Sequence, residues 1–276
     1  MFEKINLFNN KSILKIKLDG IPWNTIVADK SMLYSSIVDL LLNEENMLYY
    51  ATNKDSSKTL DDTRKYIKRL IKNGNLKTSL DDVLKCIGWD NTTDINNLTF
   101  QGDLAEYLMN ILIDKFTNTK TIISKISLKT SSKMPIYGND NVYYDFDNDI
   151  LYFGESKFYN NFKNALRRAE LSLNEHNNVE EICFVRTHTS SFIAENGKKR
   201  DKIIEKFENM YASDISIKSI IFIINDDIYY KNDYETDMTS YFKTIEKIDE
   251  ISNEIIFVFL PILSKEEFLK YFVGRL

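Results

Sequence analysis

Residues 150–158 read ILYFGESKF, and this stretch determines the fold predicted for the second half of the chain. Its apolar run, LYF, is followed by a glycine and then by the charged pair Glu155 and Lys157. Successive side chains of a strand point to opposite faces, so residues two apart share a face. The stretch therefore predicts a strand that ends with a carboxylate and an ammonium group side by side.

A second strand is predicted just before this one, over 141–146, with residues 147–149 as the turn of a hairpin. Asp140 precedes that strand, so pairing of the two strands brings Asp140 close to Glu155. Two converging carboxylates suit a hard, oxygen-preferring cation such as Mg²⁺ or Mn²⁺. Lys157 beside them can orient a water and stabilise negative charge that develops on a phosphate. This combination predicts a site for phosphodiester hydrolysis.

A plainer interpretation of these charges is also open. Glu155 and Lys157 can form a simple ion pair on a half-exposed strand, since the spacing alone also occurs by chance. Three further acids, Asp145, Asp147 and Asp149, lie near the same hairpin and offer a different register for the metal ligand. We expect them to be turn residues and solvated surface residues, because Asp is frequent in turns.

A helix predicted over 103–116 carries Glu106. Its neighbours three and seven positions on, Met109 and Ile113, are apolar, so we expect Glu106 to be partly buried. A buried carboxylate needs a partner, and a metal ion, a metal-bound water or Lys157 would serve. The alternative, an acid that stabilises a helix N-terminus, suits Asp103 better.

The remaining pattern predicts an α/β fold in which a mixed sheet is flanked by helices. Further strands are expected over 122–130, 218–224 and 255–260, and helices over 162–175, 201–211, 237–248 and 264–272, while 179–194 is ambiguous. The first part of the chain is predicted to be mostly helical, after an early strand around residues 14–18, with helices over 31–42, 60–73 and 79–87. Because 90–99 is polar, we divide the chain into a regulatory or partner-docking region, 1–95, and a catalytic domain, 98–276.

Composition excludes several classes of protein. The chain has 276 residues and a net charge of −5, so binding to nucleic acid must come from local patches. Two cysteines far apart and two histidines exclude zinc ribbons and HExxH sites. A phosphate-binding P-loop is absent, so an ATP-driven motor, if one is needed, must be another chain. We expect a cytoplasmic protein, because neither a secretory signal nor an apolar run long enough for a membrane helix occurs.

Two basic stretches flank the candidate site. Lys125, Lys129 and Lys133 occur without an intervening acid, and Lys163 and Arg167 lie on the helix after the Glu-x-Lys strand. Such side chains can hold phosphates without reading base sequence. For any one lysine, an ordinary solvated surface is the alternative.

Three segments carry a resemblance to a known family: GDLAEYL at 102–108, ISLKTSSKMPIYGND at 126–140 and ILYFGESKFYNNFKNALRRAELSL at 150–173. A helix with Glu, then three strands with Asp and Glu-x-Lys, then a helix, resembles the core of PD-(D/E)xK nucleases. The amino-acid sequence of these segments most resembles that of the HamA family, the nuclease component of Hachiman-type phage-defence systems, and that of the related AbpA-type proteins.

The resemblance implies a metal-dependent DNA nuclease that works with a superfamily 2 helicase, HamB. An unregulated nuclease would attack the host's own DNA, and nothing in the sequence looks like a self-inhibiting lid or an ATP-sensing element. We therefore also expect the helicase to restrain the nuclease. It assigns Glu106, Asp140, Glu155 and Lys157 to the nuclease site, with the three carboxylates as ligands of Mg²⁺ or Mn²⁺. Asn139 stands where many such nucleases have proline. Two alternatives stay open: a non-catalytic adaptor with a nuclease fold, and a restriction or repair nuclease outside defence.

Overall fold

A computed structural model gives the fold of the chain. The residues that it describes are 2–6, 11–16, 30–43, 46, 84, 88–117, 119–124, 139–145, 147–176, 205, 216–226 and 255–276. The strands are β1 Phe2–Asn6, β2 Lys11–Ile16, β3 Thr119–Ser124, β4 Asn141–Asp145, β5 Ile150–Phe158, β6 Ser216–Asp226 and β7 Ile255–Ile262. The helices are α1 Lys30–Leu41, α2 Leu98–Phe116, α3 Phe162–His176 and α4 Lys265–Val273.

The strands form one mixed sheet in the order β1-β2-β7-β6-β5-β4-β3. The four central strands, β2, β7, β6 and β5, run parallel to one another. The outer pairs β1–β2, β5–β4 and β4–β3 are antiparallel. The α/β class with a mixed sheet and flanking helices is therefore confirmed, and β5 has the predicted bounds.

Helices cover both faces of this sheet. Helices α1, α2 and α4 share a core with Val258 and Leu260 of β7. Helix α3 lies against the opposite face, where its Phe162 ring meets Phe259 at a centroid distance of 5.2 Å. Val258 and Phe259 are consecutive strand residues, so their side chains point to opposite faces. The central strands are buried on both sides, as their apolar composition predicts.

Helix α2 begins five residues earlier than the sequence predicts. Asn97 is its N-cap, and the Asn97 side chain accepts hydrogen bonds from the N–H groups of Thr99, at 2.9 Å, and Phe100, at 3.4 Å. Asparagine is among the best N-cap residues because its side-chain oxygen satisfies these otherwise unpaired groups. The polar stretch before residue 99 was interpreted as a boundary, although it also contains this cap.

The described part of the N-terminal region shares the sheet and the core with the rest of the chain. Strand β2 pairs with β7, and Leu33, Ile37 and Leu41 of α1 are buried in the core that includes α2 and α4. The Tyr34 hydroxyl donates a hydrogen bond of 3.1 Å to the Ser264 carbonyl at the cap of α4. A partner-docking role for residues 1–95 stays a prediction.

Several predicted elements lie outside the described residues. They are most of strand 122–130 beyond β3, the helices over 60–73 and 237–248 and the ambiguous segment 179–194, together with almost all of helices 79–87 and 201–211. The predicted helices over 31–42, 162–175 and 264–272 are confirmed as α1, α3 and α4. No helix in the described part of the chain is long and apolar enough to cross a membrane.

Candidate functional site

The β4–β5 hairpin places Asp140 beside Glu155. Asn141, the first residue of β4, pairs with Gly154 of β5. Asp140 lies one residue before that pair and accepts hydrogen bonds from Ser156 of β5. The charges of Asp140 and Glu155 both act on Lys157. Two carboxylates therefore lie near one ammonium group at the open end of this hairpin.

Glu155 and Lys157 share one face of β5, as predicted. The Lys157 ammonium donates to Oε1 of Glu155, whose side chain is 1% exposed while that of Lys157 is 19% exposed. Burial by itself lowers the pKa of Lys157, but the charges of Glu155 and Asp140 outweigh burial and raise that pKa to about 12. At neutral pH Lys157 therefore carries its proton and acts as a donor and a cation, rather than as a base.

Asp140 is held by a residue that the sequence did not indicate. Its Oδ2 accepts hydrogen bonds from the Ser156 backbone N–H, at 2.7 Å, and from the Ser156 hydroxyl, at 2.8 Å. Both residues are buried. Ser156 lies between the two charged residues of the motif, where its polarity in an otherwise apolar strand was the available signal.

Gly154 allows α2 to pack closely on the strand next to the site. A Cβ atom at this position would lie 2.8 Å from Cε2 of Tyr143, 3.2 Å from the Asn141 carbonyl oxygen and 3.2 Å from Cε of Met109. These separations leave no space for a side chain. Because Met109 belongs to α2, Gly154 and Ser156 point toward this helix, and Glu155 and Lys157 point toward the opposite face.

A chain of buried side chains links β3, α2 and β4 beside the site. The Thr121 hydroxyl donates to Oδ1 of Asn110 at 3.2 Å, and the Asn110 amide donates to Oδ1 of Asn141 at 2.6 Å. The Asn141 amide in turn donates to the backbone carbonyl of Glu106 at 3.3 Å. These hydrogen bonds fix the position of Asn141, the residue next to Asp140. Sequence reasoning missed it, although Asn110 is a polar residue in the middle of an apolar helix.

Glu106 is 8% exposed, which confirms its predicted burial. It lies on α2 and therefore starts from the sheet face opposite to the side chains of Glu155 and Lys157. Among the described residues, no three His, Cys, Asp or Glu side chains form a group that could hold one metal ion. The assignment of Glu106 as a metal ligand stays a prediction.

The remaining acids of the hairpin lie at its other end, with Asp147 and Asp149 in the turn as expected. The expectation of a solvated residue is wrong for Asp145, which is the last residue of β4 and is buried. Oδ1 of Asp145 accepts hydrogen bonds from the backbone N–H groups of Asp147, at 2.9 Å, and Asn148, at 3.1 Å. Asp149 has a φ of 56° and accepts a bond of 2.7 Å from the Tyr144 hydroxyl. Asp145 is five positions after Asp140, which corresponds to about 17 Å along an extended strand.

The predicted phosphate-binding residues fall into two groups. Lys163 and Arg167 are exposed on α3. Residues four apart on a helix lie on the same side, so both cations project together from the helix that follows β5. Lys125, Lys129 and Lys133 lie outside the described residues.

The donor atoms present suit a divalent cation. Asp140 and Glu155 supply carboxylate oxygens, and Mg²⁺ in proteins is commonly bound through one or two carboxylates together with water. Both carboxylates are buried, and a buried negative charge needs a compensating cation. Lys157 supplies one positive charge, and a divalent cation bound by the same carboxylate oxygens would supply more.

Comparison with known proteins gives one match. A family model described as HamA matches residues 11–276, which is nearly the whole chain. The search of curated proteins found no match to the chain.

Proposed function

The chain belongs to the HamA family, and we propose that it is a metal-dependent DNA nuclease that acts in a two-protein, Hachiman-type defence system against phage. One observation carries the proposal. The open end of the β4–β5 hairpin joins two buried carboxylates, Asp140 and Glu155, to the ammonium group of Lys157. Asp, Glu and Lys in this arrangement are the residues that a Glu-x-Lys nuclease requires.

The order of elements supports a PD-(D/E)xK core. Helix α2 carries Glu106, and β3, β4 and β5 follow as an antiparallel meander with Asp140 before β4 and the Glu-x-Lys motif on β5. Helix α3 then leads across the opposite face of the sheet, and β6 pairs in parallel with β5. The order helix, three strands, helix and strand is the one expected for such a core.

In this proposal the carboxylates of Asp140 and Glu155 hold a Mg²⁺ or Mn²⁺ ion, and Glu106 supports the ion or a water. A bound divalent cation polarises the phosphoryl oxygen and lowers the pKa of its bound water. Lys157, protonated at neutral pH, donates a hydrogen bond to the attacking water and stabilises negative charge on the phosphate.

The substrate is DNA, held through its phosphates. Lys163 and Arg167 are exposed on the helix that follows the motif strand, so they can contact the backbone on either side of the bond to be cut. Contacts of this kind bind without reading base sequence. The proposed partner is a superfamily 2 helicase, which supplies ATP-dependent movement and restrains cleavage.

The direct test is cleavage of plasmid DNA by the purified chain with Mg²⁺ or Mn²⁺. We expect nicked or linear product with either ion, none after chelation by EDTA, and recovery when the ion is restored. A protein that binds DNA and the helicase but never cleaves DNA would instead be an adaptor, and would contradict this proposal.

The partner is tested by co-expression with the product of the adjacent gene, which this proposal expects to be a superfamily 2 helicase. We expect the two proteins to purify together and cleavage to be slower in the complex than with the chain alone. A chain that does not bind the helicase, and cleaves DNA equally fast with and without it, would contradict the proposed restraint. The proposal of nuclease activity would not be affected.

A further inference from the structure

Ser156 occupies the middle position of the Glu-x-Lys motif, and its side chain points away from the other two. Gly154 faces α2, so alternation along β5 directs Ser156 toward α2 as well and Glu155 and Lys157 toward the opposite face. Ser156 is 5% exposed. Its hydroxyl is therefore not placed to touch a substrate on the face of Glu155 and Lys157.

What Ser156 does contact is Asp140, and it does so twice. The backbone N–H and the hydroxyl both donate to Oδ2, at 2.7 Å and 2.8 Å. Hydrogen bonds to a carboxylate are stronger than bonds between neutral groups. Two donors on one oxygen fix the direction of the carboxyl plane, and with it the direction of Oδ1.

The location of this contact explains why it is needed. The ladder between β4 and β5 ends at the pair Asn141 and Gly154, and Asp140 lies one residue before β4. Beyond that pair, the Ser156 N–H donates to the Asp140 side chain instead of to a carbonyl of the neighbouring strand. The carboxylate thus takes the place of a backbone acceptor at the point where strand pairing stops holding the chain.

We propose that Ser156 is a positioning residue that orients Asp140 to receive the divalent cation, an inference that rests on the proposed nuclease function. Side chains that hydrogen-bond to a metal-ligating group commonly change metal affinity or activity about 10–100-fold when they are removed. The hydroxyl of Ser156 acts through Asp140, and it contacts neither the ion nor the DNA.

The test uses the full chain and Mn²⁺ as the probe, with free Mn²⁺ measured by electron paramagnetic resonance. Ser156→Ala keeps the backbone bond to Asp140 and removes the hydroxyl bond, so we expect the dissociation constant for Mn²⁺ to rise about tenfold. The Mg²⁺ concentration for half-maximal plasmid cleavage should rise by the same factor. Ser156→Thr, which retains a hydroxyl, should restore both values.

Ser219→Ala is the matched control. Ser219 is fully buried on the neighbouring strand β6, and its hydroxyl makes no hydrogen bond within the described part of the chain. Removing that hydroxyl should leave Mn²⁺ binding unchanged. The melting temperatures of both alanine variants show whether weaker Mn²⁺ binding results from a destabilised fold.

A double-mutant cycle decides whether Ser156 acts through Asp140. In an Asp140→Asn background, Ser156→Ala should cause no further loss of Mn²⁺ affinity, because residues that act through one group are not additive. Additive losses, or unchanged Mn²⁺ binding in Ser156→Ala, would overturn the inference. A wild-type chain that binds Mn²⁺ but cuts no DNA contradicts the proposed function and leaves this cycle valid. A wild-type chain that binds no Mn²⁺ contradicts both.

Discussion

The two ends of the β4–β5 hairpin carry the same kind of side chain in different surroundings. At the turn end, Asp145 is satisfied by backbone N–H groups of its own turn, from Asp147 and Asn148. Its partners lie within three residues of it, and they close the hairpin. An acid satisfied in this local way has a structural role.

At the open end, the partners come from a different strand. Asp140 bonds Ser156, sixteen residues further along the chain, and its charge acts on Lys157 together with that of Glu155. Asp140 and Asp145 are equally buried, each 7% exposed, so burial alone does not distinguish them. The difference is that one end concentrates two carboxylates around a single cation, whereas at the other end Asp145 and Asp149 accept hydrogen bonds from donors within five residues of themselves.

The largest effect is expected at Glu155. Glu155→Gln keeps the shape of the side chain and removes the charge that would hold the metal ion and the Lys157 ammonium. We expect plasmid cleavage to fall about 10²–10³-fold or more, the range seen when one charge-stabilising group is removed from an active site. Initial rates at saturating Mg²⁺ measure the loss.

Glu266→Gln is the control for this substitution, since Glu266 is an exposed partner of Lys270 on α4 and lies outside the site. Its cleavage rate should match the wild type. Lys157→Met should also abolish cleavage, but it leaves Glu155 buried without its cation, so its melting temperature must be measured alongside. Cleavage by Glu155→Gln at the wild-type rate would show that the open end is not catalytic.

The second prediction compares the two ends directly. Asp140→Asn should reduce cleavage about 100-fold, because its role depends on charge at the metal, while its hydrogen bonds to Ser156 can be retained. Asp145→Asn should leave the cleavage rate unchanged and lower the free energy of unfolding by about 1 kcal/mol, the usual contribution of a hydrogen bond. Cleavage assays and urea unfolding on both variants provide the measurements.

This pair of variants also tests the register of the motif. The two positions are matched in residue type and burial and lie on one strand pair. If Asp145→Asn abolished cleavage and Asp140→Asn did not, the metal site would belong at the turn end, and the assignment of Asp140 would be wrong.

The hairpin was largely predictable from sequence, and its supporting contacts were not. Strand β5, the turn at 147–149 and the shared face of Glu155 and Lys157 follow from alternation, which is a local property. The bonds from Ser156 to Asp140 depend on which residues the register places across the strands, so no spacing in the sequence reveals them.

Helix α2 shows the same division between local features that the sequence predicts and contacts that it does not. Its apolar pattern predicted α2 and its burial, but the early start at Leu98 depended on the Asn97 cap. The bond from Asn110 to Asn141 joins residues 31 apart in sequence. A polar residue in an apolar helix signals a buried partner, yet only the packed structure identifies that partner.

A third prediction concerns the close packing at the open end. Gly154→Ala would place a methyl group 2.8 Å from Tyr143 Cε2 and 3.2 Å from the Asn141 carbonyl, so strand and helix must separate. Overpacking of this kind costs typically about 1–3 kcal/mol of stability, measured by urea unfolding. Because Asn141 adjoins Asp140, cleavage should fall as well.

Gly102→Ala is the matched control with the opposite sign. Nothing lies within 4 Å of a Cβ at this exposed position of α2. Alanine should therefore stabilise the helix by about 0.5–1 kcal/mol relative to glycine. Equal destabilisation by both variants would mean that the alanine effect is unrelated to packing at the site.

The smallest effect is expected for the cations on α3. This helix begins four residues after β5 ends, beside the open end of the hairpin, whereas the turn end carries acids that repel phosphate. We expect the double variant Lys163→Gln/Arg167→Gln to bind duplex DNA more weakly. Its plot of log affinity against log salt concentration should flatten by up to about 2, since each neutralised phosphate contributes about 0.9 to the slope.

Lys270→Gln provides the control for charge alone. Lys270 is an exposed lysine on α4, where it pairs with Glu266. Losing this cation should leave the salt slope unchanged, because long-range attraction is screened within about 10 Å at 0.1 M salt. If Lys270→Gln flattened the slope as much as the α3 variant, the total charge of the protein would attract DNA. The DNA backbone would then have no specific binding position at the open end of the hairpin. A slope that changes only with the α3 variant requires phosphates to lie next to the end of the hairpin where Asp140 and Glu155 meet, which is where cleavage must occur.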